Sequence, residues 1–486
     1  MSEGTNRRDF IKYTAATGMG FWVAARKTWA QEATDSKSPN EKVNFACIGV
    51  TGKGDSDSLH CAAIGNVVAM CDTDERNLRQ KAASTGSGRR RRGGGGAGAP
   101  GGADEVQHFA KARQFTDYRR MFDEMGKEFD AITVSIPDHS HAAAAMMGIK
   151  NGKAVYCQKP MTHYVAEARA LRLAANEHKV ATSLGNQGTA SNGLRAGVEA
   201  IRAGAIGNVH AVHVWTNRPI WPQAPRILDR PMEIEAVPTS LNWDAWIGPA
   251  PFRGYNHAYQ PFNWRGWWDF GTGALGDMGC HTANLPFMAL RLAETYPTRV
   301  KADSGIVNPE TYPSWASVVW DFPARSEMPP VTVYWYEGQK EMEDGTRVHN
   351  WPPAELFYGE KIVDSGSIMV GDKGVLYSLD DYGESWKLLP ANKFRDFKAP
   401  PPTLPRNGGG DPGMKREWVA AIKGGPPSMA NFNYAGKLTE MLLLGNCAIR
   451  AGVQHPLEWD GEAMKFTNWP EANGFLKREY RKGWEL

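Results

Sequence analysis

The stretch Lys42-Val43-Asn44-Phe45-Ala46-Cys47-Ile48-Gly49-Val50-Thr51-Gly52-Lys53-Gly54 decides how this chain is read. Lys42 to Ile48 is a short apolar, partly β-branched run, the pattern of a strand buried in a parallel sheet. The glycine-rich turn Gly49 to Gly54 follows at once. A helix-compatible stretch then runs from Ser56 to Ile64, and a second strand, Asn66 to Cys71, ends in Asp72. Strand, turn, helix, strand and acid, with the acid about twenty residues past the turn, is the order of a βαβ dinucleotide-binding unit. Glycines let the backbone approach a pyrophosphate, and the helix N-terminus supplies N–H donors and a positive dipole. Gly49, Thr51, Gly52, Lys53 and Gly54 are therefore candidate cofactor contacts. Asp72 would bond a ribose 2′-hydroxyl and repel a 2′-phosphate, so NAD is expected in preference to NADP, with Asp74 as the alternative acid. Thr51 stands where the G-x-G-x-x-G pattern has its middle glycine, and Gly52 is the candidate to take over the close backbone approach.

Further along, Ala131 to Ile136 reads as another strand, closed by Pro137-Asp138-His139-Ser140-His141. A small-residue helix follows from Ala142 to Lys150, then the strand Ala154 to Cys157, ending in Gln158-Lys159-Pro160. Ligands bind at the carboxyl ends of parallel strands, which makes Pro137, His141, Gln158 and Lys159 candidates. Asn186 and Gln187, after the last strand of this half, are expected to line the same cleft. Residues 84–104 are low complexity, with Arg89 to Arg92 followed by a glycine run. Such a segment cannot build a core and reads as a solvated surface insertion. No aromatic residues interleave the arginines, which argues against an RNA-binding element.

The N-terminus reads as an address. Asn6-Arg7-Arg8-Asp9-Phe10-Ile11-Lys12 and the apolar stretch from Tyr13 to Ala25 resemble a twin-arginine export signal, with Thr28-Trp29-Ala30 as the cleavage site. The apolar stretch is too short for a stable membrane span. Export through the twin-arginine translocase to the periplasm or beyond is the expectation. That route carries folded proteins, which suits an enzyme that acquires its nucleotide in the cytoplasm. The chain has 56 Lys plus Arg against 53 Asp plus Glu, and five basic and two acidic residues within positions 1–30 account for the whole net charge of +3. The remainder is neutral, so charge makes no case for nucleic acid or a membrane surface. The six cysteines show no CxxC pair and no metal-ligand spacing, and no metal is expected. Many of the 18 tryptophans fall between Trp215 and Trp268, where indole faces could stack on sugar C–H faces as well as fill a core.

Taken together these motifs resemble the glucose–fructose oxidoreductase / inositol dehydrogenase (Gfo/Idh/MocA) family. The resemblance rests on Gly49 to Gly54, Pro137 to His141 and Gln158-Lys159-Pro160, where Gln158 replaces the family's usual Glu and so removes a charge beside Lys159. It extends through Gly204 to Val209 and Gly273 to His281, which resembles the family's Asp-x-x-x-His helix; Trp264 to Gly271 is similar to a branch of exported members. The implied fold is α/β, an N-terminal Rossmann domain plus a C-terminal α/β domain with a mainly antiparallel open sheet. The expected organisation is an export signal over 1–30, a tether over 31–41, a nucleotide domain over 42–185 and a substrate and oligomerisation domain over 186–486. Val209 to Asn217, Ala316 to Phe322 and Val331 to Tyr336 read as strands of the second domain, Ser367 to Tyr377 as a hairpin, and Lys437 to Ala451 as a helix. A homo-oligomer is implied by the resemblance alone.

Residues four apart on a helix share a face, so Asp277 and His281 could point into one cleft. The resemblance implies His281 as base, Asp277 as its orienting partner or a substrate contact, and Lys159 as holder of the reactive oxygen, with the roles of Lys159 and His281 open to exchange. Arg218, Trp221, Arg265 and Trp268 are the candidate substrate contacts. The implied activity is NAD-dependent oxidation of a hydroxyl on a sugar, glycoside or cyclitol. The alternatives are a glycoside hydrolase or lyase that uses bound NAD transiently, and a non-catalytic sugar- or nucleotide-binding relative.

Overall fold

The structure, a computed structural model, describes residues 42–84 and 109–486. The expected export signal, the tether and all but the first residue of the 84–104 insertion lie outside the described residues.

The first domain alternates strand and helix. Its elements are β1 (Val43–Ile48), α1 (Lys53–Ile64), β2 (Gly65–Cys71), α2 (Glu75–Ala82), β3 (Arg113–Phe115), α3 (Tyr118–Met125), β4 (Ala131–Val134), α4 (Asp138–Lys150), β5 (Ala154–Gln158), α5 (Val165–Glu177) and β6 (Thr182–Gly185). The six strands form one parallel sheet in the order β3-β2-β1-β4-β5-β6. This is the doubly wound dinucleotide-binding order, whose chain reversal between β1 and β4 opens a crevice at the strand ends. Phe45, Ala46, Cys47, Ile132, Val134, Val155 and Tyr156 are buried because helices cover both faces of the sheet. Asp74 and Asp117 cap α2 and α3, accepting from the second backbone N–H of each helix. The short edge strand β3 carries no apolar run and was not legible in the sequence.

The second domain contains α6 (Asn192–Arg202), β7 (Val209–Thr216), α7 (Trp243–Ile247), α8 (Gly273–Thr282), α9 (Asn284–Ala289), β8 (Arg299–Ser304), β9 (Trp315–Phe322), β10 (Val331–Glu341), β11 (Arg347–His349), β12 (Gly366–Gly371), β13 (Gly374–Ser378), β14 (Trp386–Leu389), α10 (Gly410–Ile422), α11 (Phe432–Ala451), β15 (Leu457–Asp460) and β16 (Lys465–Phe466). Its sheet runs β14-β13-β12-β7-β10-β9-β8-β15-β16, with β11 on β10, and is antiparallel except for the β7–β10 pair. Strand β9 alternates buried and half-buried residues along its length, because one face packs on α11 while the other stays open.

The two domains share their cores. Met414 and Trp418 of α10, Phe432 of α11 and Trp484 near the C-terminus join the apolar core of the nucleotide domain. The Trp418 ring lies 5.6 Å from Phe45, and its Nε1 donates to the Ala181 carbonyl at 3.2 Å.

Candidate active site

The glycine turn is built as its residue types demand. Gly49 has φ of 82°, and a Cβ there would lie 2.1 Å from the Ser135 carbonyl oxygen. A Cβ on Gly54 would lie 2.2 Å from the Gly49 carbonyl oxygen, so no side chain fits between turn and helix. Gly52, with φ of 57°, has open space where a Cβ would stand. The turn therefore offers bare backbone at the head of α1, and this geometry fits a pyrophosphate. Asp72, at the end of β2, accepts from Asn77 Nδ2 at 3.0 Å, from the Asp74 N–H at 3.1 Å and from the Val50 N–H at 3.3 Å. Burial pushes its carboxyl up, against those donors. Asp74 is instead spent on the α2 cap and on Arg76, 2.6 Å away.

Gly49, Thr51, Gly52, Lys53, Asp72, Pro137, His141, Gln158, Lys159 and Gln187 all border one cleft of about 660 Å³, together with Asp277, His281 and Arg265. Gly54 and Asn186 do not border it. Gly54 is packed beneath the turn, and Asn186 is buried behind His281.

Lys159 follows β5 and reaches α8. Its ammonium donates to the Asp277 carbonyl oxygen at 2.6 Å and to Asp277 Oδ1 at 3.0 Å. Arg265 Nε donates to the same Oδ1 at 3.3 Å. Burial pushes the Asp277 carboxyl up, but Lys159 and then Arg265 outweigh it and hold it at about 2. Burial, with Lys159 adding to it, pushes the His281 imidazole well below its usual range. Asp138, one of the cleft residues that sequence reasoning passed over, accepts from Thr272 Oγ1 at 2.6 Å, and burial pushes its carboxyl up.

The expectation that Gln158 removes a charge beside Lys159 needs correcting. The Lys159 carboxylate partner is Asp277, from the other domain. Gln158 Nε2 donates instead to Asp57 Oδ2, 2.8 Å away on α1. Asp57 is fully buried and also takes Ser135 Oγ, Lys53 Nζ and Lys415 Nζ, each at 2.8 Å. Burial raises its carboxyl, but Lys415 and then Lys53 pull it below the usual carboxylate range. Lys415, on α10, sits 3.3 Å from the Tyr156 ring centroid, a cation–π contact that accompanies its burial.

Of the four substrate candidates the structure brings only Arg265 to the cleft. Trp268 packs against Tyr312, with ring centroids 3.7 Å apart, and donates to the Asn308 carbonyl. Trp221 is buried and donates to Gln223, and Arg218 donates to Asn217. The apolar wall is made by Trp246, Pro261, Phe262 and Trp264, with the Arg265 guanidinium 4.2 Å from the Trp264 ring centroid. Trp264 and Arg265 were legible as a quoted stretch, but nothing local distinguished Trp264 from Trp268. Three residues bordering this cleft carry a buried polar atom with no hydrogen-bond partner among the described residues: Ser140 Oγ, Gln187 Oε1 and Gln260 Nε2.

A strap from the second domain pairs with the chain just past β2, where Thr73 and Asp74 border the cleft. The Asn242 N–H donates to the Thr73 carbonyl at 2.8 Å and the Glu75 N–H to the Ser240 carbonyl at 2.9 Å. Asp74 and Leu241 thereby form a bridge just past the strand that ends in Asp72. Trp484 stands edge-on to Tyr118, which also borders the cleft, with centroids 5.8 Å apart.

Two family models match. Residues 99–186 match the oxidoreductase family's NAD-binding Rossmann fold (GFO_IDH_MocA), and residues 226–328 match its C-terminal alpha/beta domain. The glycine turn and Asp72 precede the first match. No curated protein matches in sequence. Among solved structures the chain is similar to the WlbA dehydrogenase from Bordetella pertussis, in complex with NADH and UDP-GlcNAcA, at 16% identity and a TM-score of 0.54, over 86% of this chain and 100% of that one. It is similar to an inositol dehydrogenase homologue from Azotobacter vinelandii, complexed with NADH and myo-inositol, at 13% identity and a TM-score of 0.52, over 86% and 98%. A levoglucosan dehydrogenase in complex with NADH and L-sorbose gives 13% identity and a TM-score of 0.54, over 86% and 98%. At these identities the likeness is one of fold.

Proposed function

We propose that this chain, a member of the Gfo/Idh/MocA oxidoreductase family by the matches in both of its domains, oxidises a hydroxyl group of a sugar, glycoside or cyclitol with NAD. The observation that carries the reading is the convergence of Lys159, Asp277 and His281 from two domains on one cleft that runs to the glycine turn. NAD, when bound, supplies the hydride acceptor. Gly49, Thr51, Gly52 and Lys53 would hold its pyrophosphate and Asp72 its adenosine ribose. Asp72 is a carboxylate that pairs with no cation among the described residues, which disfavours a 2′-phosphate and so NADP.

The residues divide the chemistry of an alcohol. His281 takes the hydroxyl proton, because a neutral imidazole is what its surroundings favour. The Lys159 ammonium, with two donors on Asp277, keeps a third for the reacting oxygen as its charge grows. Asp277 anchors Lys159 and Arg265 against each other. The Trp246, Phe262 and Trp264 wall suits the C–H face of a pyranose or cyclitol. The ligands named for the similar structures, a nucleotide sugar acid, myo-inositol and L-sorbose, are polyols of that kind.

The strap over the adenosine end favours a second reading, in which NAD stays bound and its transient reduction drives cleavage of a glycoside with no net redox change. Export through the twin-arginine translocase with NAD already seated belongs to the same proposal, carried by Arg7-Arg8; loss of export in an Arg7→Lys/Arg8→Lys variant tests it. Self-association is proposed through the open sheet face where Tyr334 and Tyr336 stand half-buried, and light scattering of the purified protein tests it.

The central test is to denature the purified protein and identify released nucleotide by mass spectrometry, then screen sugars, glycosides and cyclitols for NADH formation or aglycone release. NAD near one per chain supports a resident cofactor. An empty protein that binds added NAD supports an exchanging dehydrogenase. Failure to bind NAD in either form overturns the proposal.

A further inference from the structure

We infer that Asn186 is the positioning residue that fixes the tautomer of His281, so that Nδ1 carries the proton and Nε2 presents its lone pair to the cleft. The inference rests on the reading of His281 as base. Asn186 stands one residue past β6, buried to 1% exposure. Its backbone is held in a tight turn: the Asn186 N–H donates to the Leu184 carbonyl at 2.8 Å, and its own carbonyl accepts the Thr189 N–H at 2.9 Å.

The side chain has two ends, and each is committed. Nδ2 donates to the Cys280 carbonyl oxygen. A carbonyl only accepts, so the amide cannot be turned over without setting two oxygens against each other. Oδ1 is therefore the end that faces His281 Nδ1, 2.9 Å away. An amide oxygen also only accepts, so Nδ1 must be the donor. In a neutral imidazole the other nitrogen is then bare.

The rest of the surroundings agree. His281 Nε2 has no hydrogen-bond partner among the described residues, and His281 borders the cleft. The charged groups that act on the ring are Lys159 from the end of β5, Asp277 one turn back on α8 and, with a smaller effect, Lys53 from the glycine turn. Tyr382 packs its ring edge-on at 5.0 Å and holds the plane. Burial and Lys159 push the imidazole towards its neutral form, and Asn186 decides which neutral form it is. Asn186 thus acts through His281, in place of the cofactor contact expected from the sequence.

The test reads the ring nitrogens directly and needs no substrate. The full chain is labelled with ¹⁵N-histidine, and the His281 signals are assigned by their loss in His281→Gln. In the wild type Nδ1 is expected at the shift of a protonated ring nitrogen and Nε2 at that of a bare one. In Asn186→Leu the two forms are expected to mix or invert. With a turned-over substrate from the screen above, kcat is expected to fall at least about tenfold while KM and NAD affinity hold. Should the leucine variant not fold, Asn186→Asp keeps an acceptor on Nδ1 and adds a negative charge. Its His281 is expected to keep the tautomer and titrate at higher pH, moving the acid limb of kcat/KM upward. A protonated Nε2 in the wild type, the same tautomer in Asn186→Leu, or an unmoved titration in Asn186→Asp overturns the inference. These readouts do not depend on which nucleotide or sugar binds, so failure of the functional reading is seen separately.

Discussion

Gln158 Nε2 donates to Asp57 Oδ2 at 2.8 Å, which places the carboxylate of this pair on α1 and the amide at the strand end. The charge absent from position 158 is present 101 residues earlier, where Lys53 and Lys415 hold it.

Gln158→Glu would set a second carboxylate against Asp57. We expect a loss of about 2 kcal/mol in denaturant unfolding near neutral pH. The like charge raises the new glutamate above its unfolded value. The deficit should therefore be absent well below the ordinary carboxylate range and grow as pH rises through the raised pKa. The double variant Asp57→Asn/Gln158→Glu should recover part of the loss, and simple additivity of the two single changes would refute the pairing.

Lys415→Met leaves Asp57 with one cation in place of two. The expected loss is about 3 kcal/mol at neutral pH, since both Lys415 and Asp57 are fully buried. The folded Asp57 lies below its unfolded value, so its contribution is present above the unfolded carboxylate pKa of about 3.9 and is lost as pH falls below it. Melting curves of wild type and variant should accordingly converge as pH is lowered through that region. A constant gap would show that Lys415 acts by packing on Tyr156 alone.

Because burial and Lys159 push His281 down, the acid limb of kcat/KM should lie below the usual histidine value of about 6.5. Lys159→Met removes the cation, so the limb should move to higher pH while kcat falls by about a hundredfold or more through loss of the donor to the reacting oxygen. An unmoved limb would assign it to another group.

Asn242→Pro removes the N–H that reaches the Thr73 carbonyl and opens the strap over the adenosine end. The NAD dissociation rate, followed by fluorescence exchange, should rise about tenfold, the effect of roughly 1.4 kcal/mol lost from the closed state. An unchanged rate would mean that the strap does not retain the nucleotide.

How much of this was legible depended on whether the governing interaction is local. The glycine turn could be read because Gly49, Gly52 and Gly54 meet demands set within a few residues of themselves and by the adjacent strand. The strands β1, β2, β4 and β5 could be read for the same reason, since strands buried on both faces are apolar throughout, whereas the exposed edge strand β3 could not. Asp277 and His281 were paired by helical spacing, although the structure gives Asp277 to Lys159 and His281 to Asn186.

The amino-acid sequence by itself determined the parallel sheet, the glycine turn and the acid that follows β2, since backbone sterics and hydrophobic period act over short spans of chain. Only the tertiary structure decided which tryptophans face the cleft, which carboxylate each lysine meets and which nitrogen of His281 is bare. Those outcomes depend on side chains 90 to several hundred positions apart, such as Asn186 with His281 or Asp57 with Lys415, brought within 3 Å by the packing of α8 and α10 against the first domain. No propensity or spacing encodes such a meeting, because its energy arises from desolvation and charge in a site that exists only once both domains have folded.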